Sequence, residues 1–368
     1  MSRENVFKIL FLVIFWIAIQ IFMTFYDWTI IDDAFRAGRM NERNVYSFDK
    51  NLINGFVVTL IGGVLIASVE VLYFSKLLRN KPFGIALLIK TIFYFGNIFF
   101  FTSLAVLLEL SFRLERSLLQ PEIIEAFIQY LSTPRAWSLW MFWGFSVMLA
   151  LFILQVSEKL GQGVLLHFLA GKYHRPKEVE RIFMFLDLRS STTYAEKLGH
   201  VKYSELIQDC FRDLTDAVAK HQAQIYQYVG DEAVLLWKVK QGLKDQNCIN
   251  CFSTYNQQIV RNKGKYLERY GMIPAFKAGL DMGRVTVAEV GEIKKELAYH
   301  GDVLNTASRI TGRCNDLGAQ ILISERLKVE LESNPGNNRF ENIGEMELKG
   351  KKLPVNVFKV LLEETTST

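Results

Sequence analysis

Four stretches of this 368-residue chain run for 18 residues or more without a charged side chain: Ile9 to Tyr26, Leu52 to Val69, Thr91 to Leu108 and Ala136 to Ser157. A helix rises about 1.5 Å per residue, so about 20 apolar residues cross a hydrocarbon core of roughly 30 Å. The runs predict a transmembrane domain over residues 1–157, with helices near 6–26, 52–74, 83–108 and 136–157. Beyond it no comparable run occurs and charged residues are frequent. A mean hydropathy of +0.14 beside 22% charged residues is the average of two unlike halves.

The first run is too long for the apolar core of a signal peptide, and the Phe25-Tyr26-Asp27-Trp28 that ends it offers no small-residue cleavage site. It is read as a true span. Lys76, Arg79 and Lys81 crowd the short loop between spans two and three. The first and third loops are longer and carry acidic residues such as Asp32, Asp33 and Glu115. The positive-inside rule then places that loop, both termini and the soluble half in the cytoplasm, with the chain a multi-pass protein of the inner or plasma membrane. The net charge of +5 is largely membrane-flanking and implies a bilayer partner, with no nucleic acid. Glu70 and Lys90, beside spans two and three, are expected to snorkel to the interface. Cys210, Cys248, Cys251 and Cys314 lie in the cytoplasmic half. Disulfides are not expected there, and the lone C-x-x-C lacks the second ligand pair of a zinc site, so buried thiols are expected.

Residues 158–177 read as a coupling helix and linker, 178–361 as a catalytic domain and 362–368 as a tail. Within the domain, Arg181 to Leu188 is a strand and Thr192 to Lys220 one or two helices. Gln224 to Val229 and Ala233 to Val239 form a hairpin about Gly230-Asp231-Glu232, and a long helix runs to about Tyr270. Ala275 to Asp281 and Arg284 to Val290 are expected to pair around Met282-Gly283. Asp302 to Asn315 is helical, with Asp302 as its N-cap. Gln320 to Ser324, Phe340 to Leu348 and Val355 to Leu361 are strands. Alternating strands and helices indicate a sheet covered by helices.

Asp187 ends a buried strand and is followed at once by Ser190, Ser191 and Thr192 at a helix start. A carboxylate there can hold a cation while free backbone N–H groups and the helix dipole face phosphates. Asp231, in the hairpin turn, supplies a second carboxylate, and two together can clamp two divalent ions for phosphoryl transfer. Asn305 and Arg309 are four apart on one helix face, suited to orienting a ribose and stabilising phosphate charge. Glu347-Leu-Lys-Gly-Lys-Lys-Leu-Pro354 is a basic turn that can reach phosphates.

The segments Phe185-Leu-Asp-Leu-Arg-Ser-Ser191, Tyr228-Val-Gly-Asp-Glu232, Gly301-Asp-Val-Leu-Asn-Thr-Ala-Ser-Arg309 and Glu347-Leu-Lys-Gly-Lys351 resemble, in this order, the catalytic domain of class III nucleotide cyclases. The resemblance implies an α+β, ferredoxin-like βαββαβ palm working as a head-to-tail homodimer, its active sites at the interface. It implies two Mg²⁺ or Mn²⁺ ions held by Asp187 and Asp231 of one protomer, with Asn305 and Arg309 donated by the other. Lys349 would bind phosphate, with Lys351 a near competitor. The implied reaction is attack of a ribose 3′-hydroxyl on the α-phosphate of ATP. Two positions depart from the family's adenylate cyclases. Gln227 stands where those enzymes place a base-reading Lys, and Ala298 where they place its Asp or Thr partner. A Gln amide can donate or accept, so base selectivity is weakly specified.

Overall fold

Each apolar run forms a helix that outlasts its uncharged core, because the backbone hydrogen-bond ladder continues into the polar flanks. α1 is Arg3–Arg36, α2 Phe48–Val69 with a π-helical continuation Glu70–Phe74, α3 Phe83–Leu114 and α5 Pro134–Leu160. Between α3 and α5 lies α4, Pro121–Leu131, which sequence reading did not separate; Pro121 opens it at the first helical position. The computed structural model describes residues 3–37, 48–74, 77–78, 81–117, 120–160, 171–334, 336–347 and 354–362. Most of the expected coupling helix, the Lys349–Lys351 turn and the tail from 363 lie outside these. The chain divides into two compact units, Met1–Gln162 and Gly163–Thr368.

In the first unit four helical segments, Asn5–Arg36, Phe48–Phe74, Phe83–Leu108 and Ala136–Lys159, are long and apolar enough to cross a membrane. Their outward faces expose large side chains such as Ile14, Val58 and Met141. A surface of that kind suits lipid far better than water. The snorkelling expected of Glu70 and Lys90 does not occur. Their side chains are only 1% and 5% exposed. Lys90 Nζ donates to Glu70 Oε1, and Tyr94 Oη donates to Oε2 at 2.9 Å. The π-helical turn starts at Glu70 itself. Pairing across α2 and α3 satisfies both charges inside the bundle, so neither has to reach water.

The second unit is built on β1 (Lys177–Leu188), α6 (Ser191–Lys220), β2 (Gln224–Val229), β3 (Glu232–Lys238), α7 (Asn247–Arg261), α8 (Lys263–Tyr270) and β4 (Phe276–Val290). Then follow β5 (Glu296–His300), α9 (Asp302–Arg313), β6 (Ile321–Ser324), α10 (Glu325–Glu332), β7 (Arg339–Met346) and β8 (Val355–Leu361). The sheet order is β2-β3-β1-β4-β6-β8-β7, with β5 paired to β4. β1 is antiparallel to both β3 and β4. The first four strands thus form the expected ferredoxin-like palm, and the mixed sheet continues beyond it, β6 lying parallel to β4.

Two sequence expectations fail here. The long helix to Tyr270 is broken: a short helix Val239–Leu243 and a turn precede α7, and α8 follows it. Met282-Gly283 does not reverse the chain. β4 runs straight through it, because β1 is equally extended and pairs along it from Lys177↔Val287 to Leu188↔Phe276. The hairpin partner of β4 is instead β5. Beside Gly283, buried Asp281 accepts hydrogen bonds from Ser324 Oγ and Arg326 Nε, both at 2.6 Å, which ties β4 to β6 and α10.

One face of the sheet carries the larger core, where Met184, Leu235 and Leu280 meet Leu206 and Leu214 of α6, Phe252 and Tyr255 of α7, and Leu327 of α10. The other packs Phe183, Phe185 and Val285 against Val303 and Ala307 of α9. All four cysteines are buried free thiols, as expected. α9 lies hard on β4: a Cβ on Gly279 would stand 2.4 Å from Thr311 N. Thr311 Oγ1 also donates to Phe185 O at 3.2 Å, pinning the helix over β1. That docking fixes where the outward face of α9 points.

Candidate active site

The antiparallel pairing of β1 with β3 sets Leu186 opposite Ala233. The last residues of β1 therefore lie beside the β2–β3 turn, where Gly230 takes φ 61° and Asp231 follows. This brings Asp187 and Asp231 to one edge of the sheet, as their spacing suggested. Lys277 of β4, register partner of Asp187, completes the group, its Nζ 3.2 Å from Asp187 Oδ2. Sequence reading missed Lys277. The signal was present, since a lysine inside an otherwise apolar strand needs a buried partner.

The carboxylates crowd one another. Burial raises the pKa of Asp187, with Lys277 opposing and Asp231 adding to the rise. Burial, then Asp187 and Asp231, push the Glu232 carboxyl up to about 7. The Tyr203 phenol of α6 is pushed up to about 12, chiefly by burial and next by Asp231. Asp231 Oδ2 is buried without a hydrogen-bond donor. An orphaned carboxylate oxygen of this kind is costly unless a cation serves it. Among the described residues no three His, Cys, Asp or Glu side chains gather at metal-binding distance. Magnesium at phosphate sites needs only one or two carboxylates, the rest of its shell coming from phosphate and water. Asp187 and Asp231 fit that role, and Lys277 sets a positive charge beside Asp187.

Next to Asp187 the chain turns into α6 through Ser190, which takes a left-handed φ of 56° and makes no side-chain cap. The N-terminal N–H groups at Ser191 and Thr192 are thereby left uncapped beside the carboxylates, suited to phosphate oxygens. Arg189 turns away, donating to Ala319 O. In α9 the N-cap is Gly301 rather than Asp302, which is the first helical residue. Val303, Thr306, Ala307 and Ile310 face the sheet, while Asn305 is exposed and Arg309 half-buried on the opposite side. Among the described residues neither makes a hydrogen bond or ion pair. The structure does not join them to Asp187 and Asp231 of the same chain. Gln227 is exposed on β2, and Ala298 pairs with Ala288 across β4–β5.

A family model described as the adenylate and guanylate cyclase catalytic domain matches residues 175–361. Adenylate cyclase 2 of Rhizobium meliloti (strain 1021) is 37% identical over 201 residues, 55% of this chain and 55% of that protein. Adenylate cyclase 1 of the same organism is 24% identical over 184 residues, 48% of this chain and 27% of that protein. The chain thus spans about half the length of the first of these relatives and less of the second. A solved structure of a bacterial light-regulated adenylyl cyclase is similar in fold, with a TM-score of 0.50 and 18% identity, covering 58% of this chain and 63% of that one.

Proposed function

This chain belongs to the family of adenylate and guanylate cyclase catalytic domains, and on that premise we propose that it is a membrane-anchored adenylate cyclase, converting ATP to 3′,5′-cyclic AMP and pyrophosphate at a site shared by two copies. The observation that carries this reading is a pair of unmet demands on one chain. Asp231 holds a buried oxygen without a donor, while Arg309 is a half-buried cation without a counter-ion among the described residues. Divalent ions arriving with a nucleotide would answer the first, and a second copy, supplying α9 to the Asp187–Asp231 edge, would set Arg309 against the nucleotide's phosphates and answer the second.

In this mechanism Asp187 and Asp231 would hold the divalent ions, Mg²⁺ or Mn²⁺, which would supply neutralisation of the negative charge that builds on the phosphates. The N–H groups at Ser191 and Thr192, with Lys277, lie against the triphosphate and favour its negative charge. Ser190 opens the backbone toward it. Asn305 of the second copy orients the ribose, and Arg309 faces the α-phosphate as charge builds there. Lys349, or Lys351, adds a contact to the phosphates from the β7–β8 turn. The 3′-oxygen forms a bond to the α-phosphorus and pyrophosphate leaves. No protein nucleophile is required, in keeping with the absence of a reactive thiol: Cys210 and Cys248 are pushed up to about 12 by burial. The four long apolar helices anchor the chain in the plasma membrane, with the catalytic unit of residues 178–361 on the cytoplasmic side.

A guanylate or pyrimidine nucleotide cyclase is the second reading, favoured by one observation: Ala298 offers the base no hydrogen bond and Gln227 accepts either polarity. The test is to incubate the purified full chain with Mn²⁺ or Mg²⁺ and each of the four nucleoside triphosphates. Cyclic AMP as the main product is expected. A different cyclic nucleotide would favour the second reading, and no cyclic product from any of them would refute both.

A further inference from the structure

Arg189 follows Asp187 by two positions, yet its side chain leaves the acidic edge. Its Nη2 donates to Ala319 O, 130 positions later in the chain. Its Nε is buried without an acceptor, and among the described residues the bond to Ala319 is the one hydrogen bond the side chain makes. Ala319 closes the turn that ends α9. Its N–H donates back to Cys314 O at 2.9 Å, past a left-handed Gly318 with φ 56°. The end of a helix carries partial negative charge, which a guanidinium beside it complements.

Two other bonds reach the same stretch from the sheet: Thr311 Oγ1 to Phe185 O at 3.2 Å and Cys314 Sγ to Ala278 O at 3.5 Å. All three fall between residues 311 and 319. Arg309 lies one turn before Arg313, the last residue of α9, so the end of the helix that carries Arg309 is the end that is fastened. Of the three ties, only Arg189 brings a charge. The turn from β1 into α6 does not lean on that side chain. Arg189 N donates to Ala275 O at 2.8 Å and Tyr194 N to Ser190 O at 3.1 Å, so main-chain bonds hold the turn beside Asp187. Loss of the guanidinium therefore loosens α9 before it disturbs the acidic edge.

We propose that Arg189 is a positioning residue for the site of the other copy. Seated beside its own Asp187, it holds the C-terminal end of α9 so that Arg309 meets the nucleotide bound at the carboxylates of the second chain. The proposal rests on the shared-site reading above. Arg309 has to face the α-phosphate as charge builds there, and misplacing such a group by about 1 Å can cost about 10²-fold in rate. Arg189 itself need not touch the substrate of either site.

The test uses mixed dimers of the full chain, purified through two affinity tags, one chain carrying Asp187→Ala and the other Arg309→Ala. Their single working site takes its carboxylates from the Arg309→Ala chain and its α9 from the Asp187→Ala chain. Arg189→Met is then added to one chain or to the other. On the Asp187→Ala chain it is expected to lower kcat for ATP about 10-fold with KM within about twofold, because the α9 in use has lost its tie. On the Arg309→Ala chain it is expected to change kcat less than about twofold. A merely structural arginine would lower activity in both arrangements alike. That result, a loss confined to the Arg309→Ala chain, or no loss in either arrangement overturns the proposal and leaves the shared site standing. Mixed dimers that are inactive before Arg189 is touched refute the shared-site reading, and the proposal falls with it. Should Arg189→Met not fold, Arg189→Lys, which keeps the charge without the planar fork of the guanidinium, carries the same asymmetry at about threefold.

Discussion

In the helical half, Glu70 and Lys90 lie almost wholly out of water, and each is answered by the other, Glu70 also by Tyr94. At the edge of the sheet in the other half, Asp187, Asp231 and Glu232 stand together with Lys277 against them, and a buried oxygen of Asp231 has no donor. The first arrangement is closed: its charges balance within one chain. The second is open, and its excess of negative charge is a demand for cations from outside. Buried charge that balances serves the fold, whereas buried charge that does not marks the place where chemistry is done.

Removing a group from each arrangement should therefore have opposite consequences. Asp231→Ala takes away a carboxylate with one buried oxygen that the fold leaves unserved, in a turn that tolerates many residues. Cyclic nucleotide formation is expected to fall about 10³-fold or more, while the thermal unfolding midpoint stays near that of the parent protein. A comparable loss of unfolding midpoint would show that the edge is structural after all. Lys90→Met is the counterpart in the helical half. It strands the Glu70 carboxylate and is expected to cost about 3 kcal/mol, the low end for a broken buried pair because Tyr94 still donates. Glu70→Gln combined with Lys90→Met should recover most of that loss in denaturant unfolding of the detergent-solubilised protein. If the double variant is no better than the single, the pair is not balanced in the way described.

A smaller effect concerns Glu232. Its pKa in the folded state, about 7, lies above its ordinary value of 4.5, so the folded state favours the protonated form. Stability is then fully present at low pH and is lost as pH rises from the ordinary value through about 7. Glu232→Gln cannot ionise. Its unfolding midpoint minus that of the parent protein is expected to grow between about pH 5 and about pH 8 in chelator, and to shrink when Mn²⁺ is added. A difference independent of pH would remove Glu232 from the acidic group.

The helical half and the meeting of Asp187 with Asp231 were legible in the sequence because each depends on local pattern. An uncharged run of sufficient length needs no tertiary information, and Asp187 and Asp231 sit at a strand end and a turn that the sequence punctuates clearly. What escaped was set by pairing across distance. Met282-Gly283 looks like a turn, and only the full-length ladder with β1 shows that β4 continues through it. Lys277 gains its meaning from lying opposite Asp187, ninety positions earlier in the chain. Glu70 and Lys90 each looked interfacial alone and became an internal pair only once α2 and α3 were set side by side. The bulge at Tyr226, where β2 slips its register against β3, likewise has no signature in β2 itself.

The central claim is that the open arrangement is completed by a second copy of the chain, whose α9 brings Asn305 and Arg309. Full-length Asp187→Ala and Arg309→Ala proteins, each inactive alone, can be mixed or co-expressed and assayed for cyclic nucleotide, with mixed-dimer formation checked by two affinity tags. In a mixed dimer one of the two sites has all its groups intact, so activity should return to roughly a quarter of the parent value, from half of the dimers with one working site each. Mixed dimers that form and remain inactive would contradict a shared site and place the whole of the chemistry within a single chain.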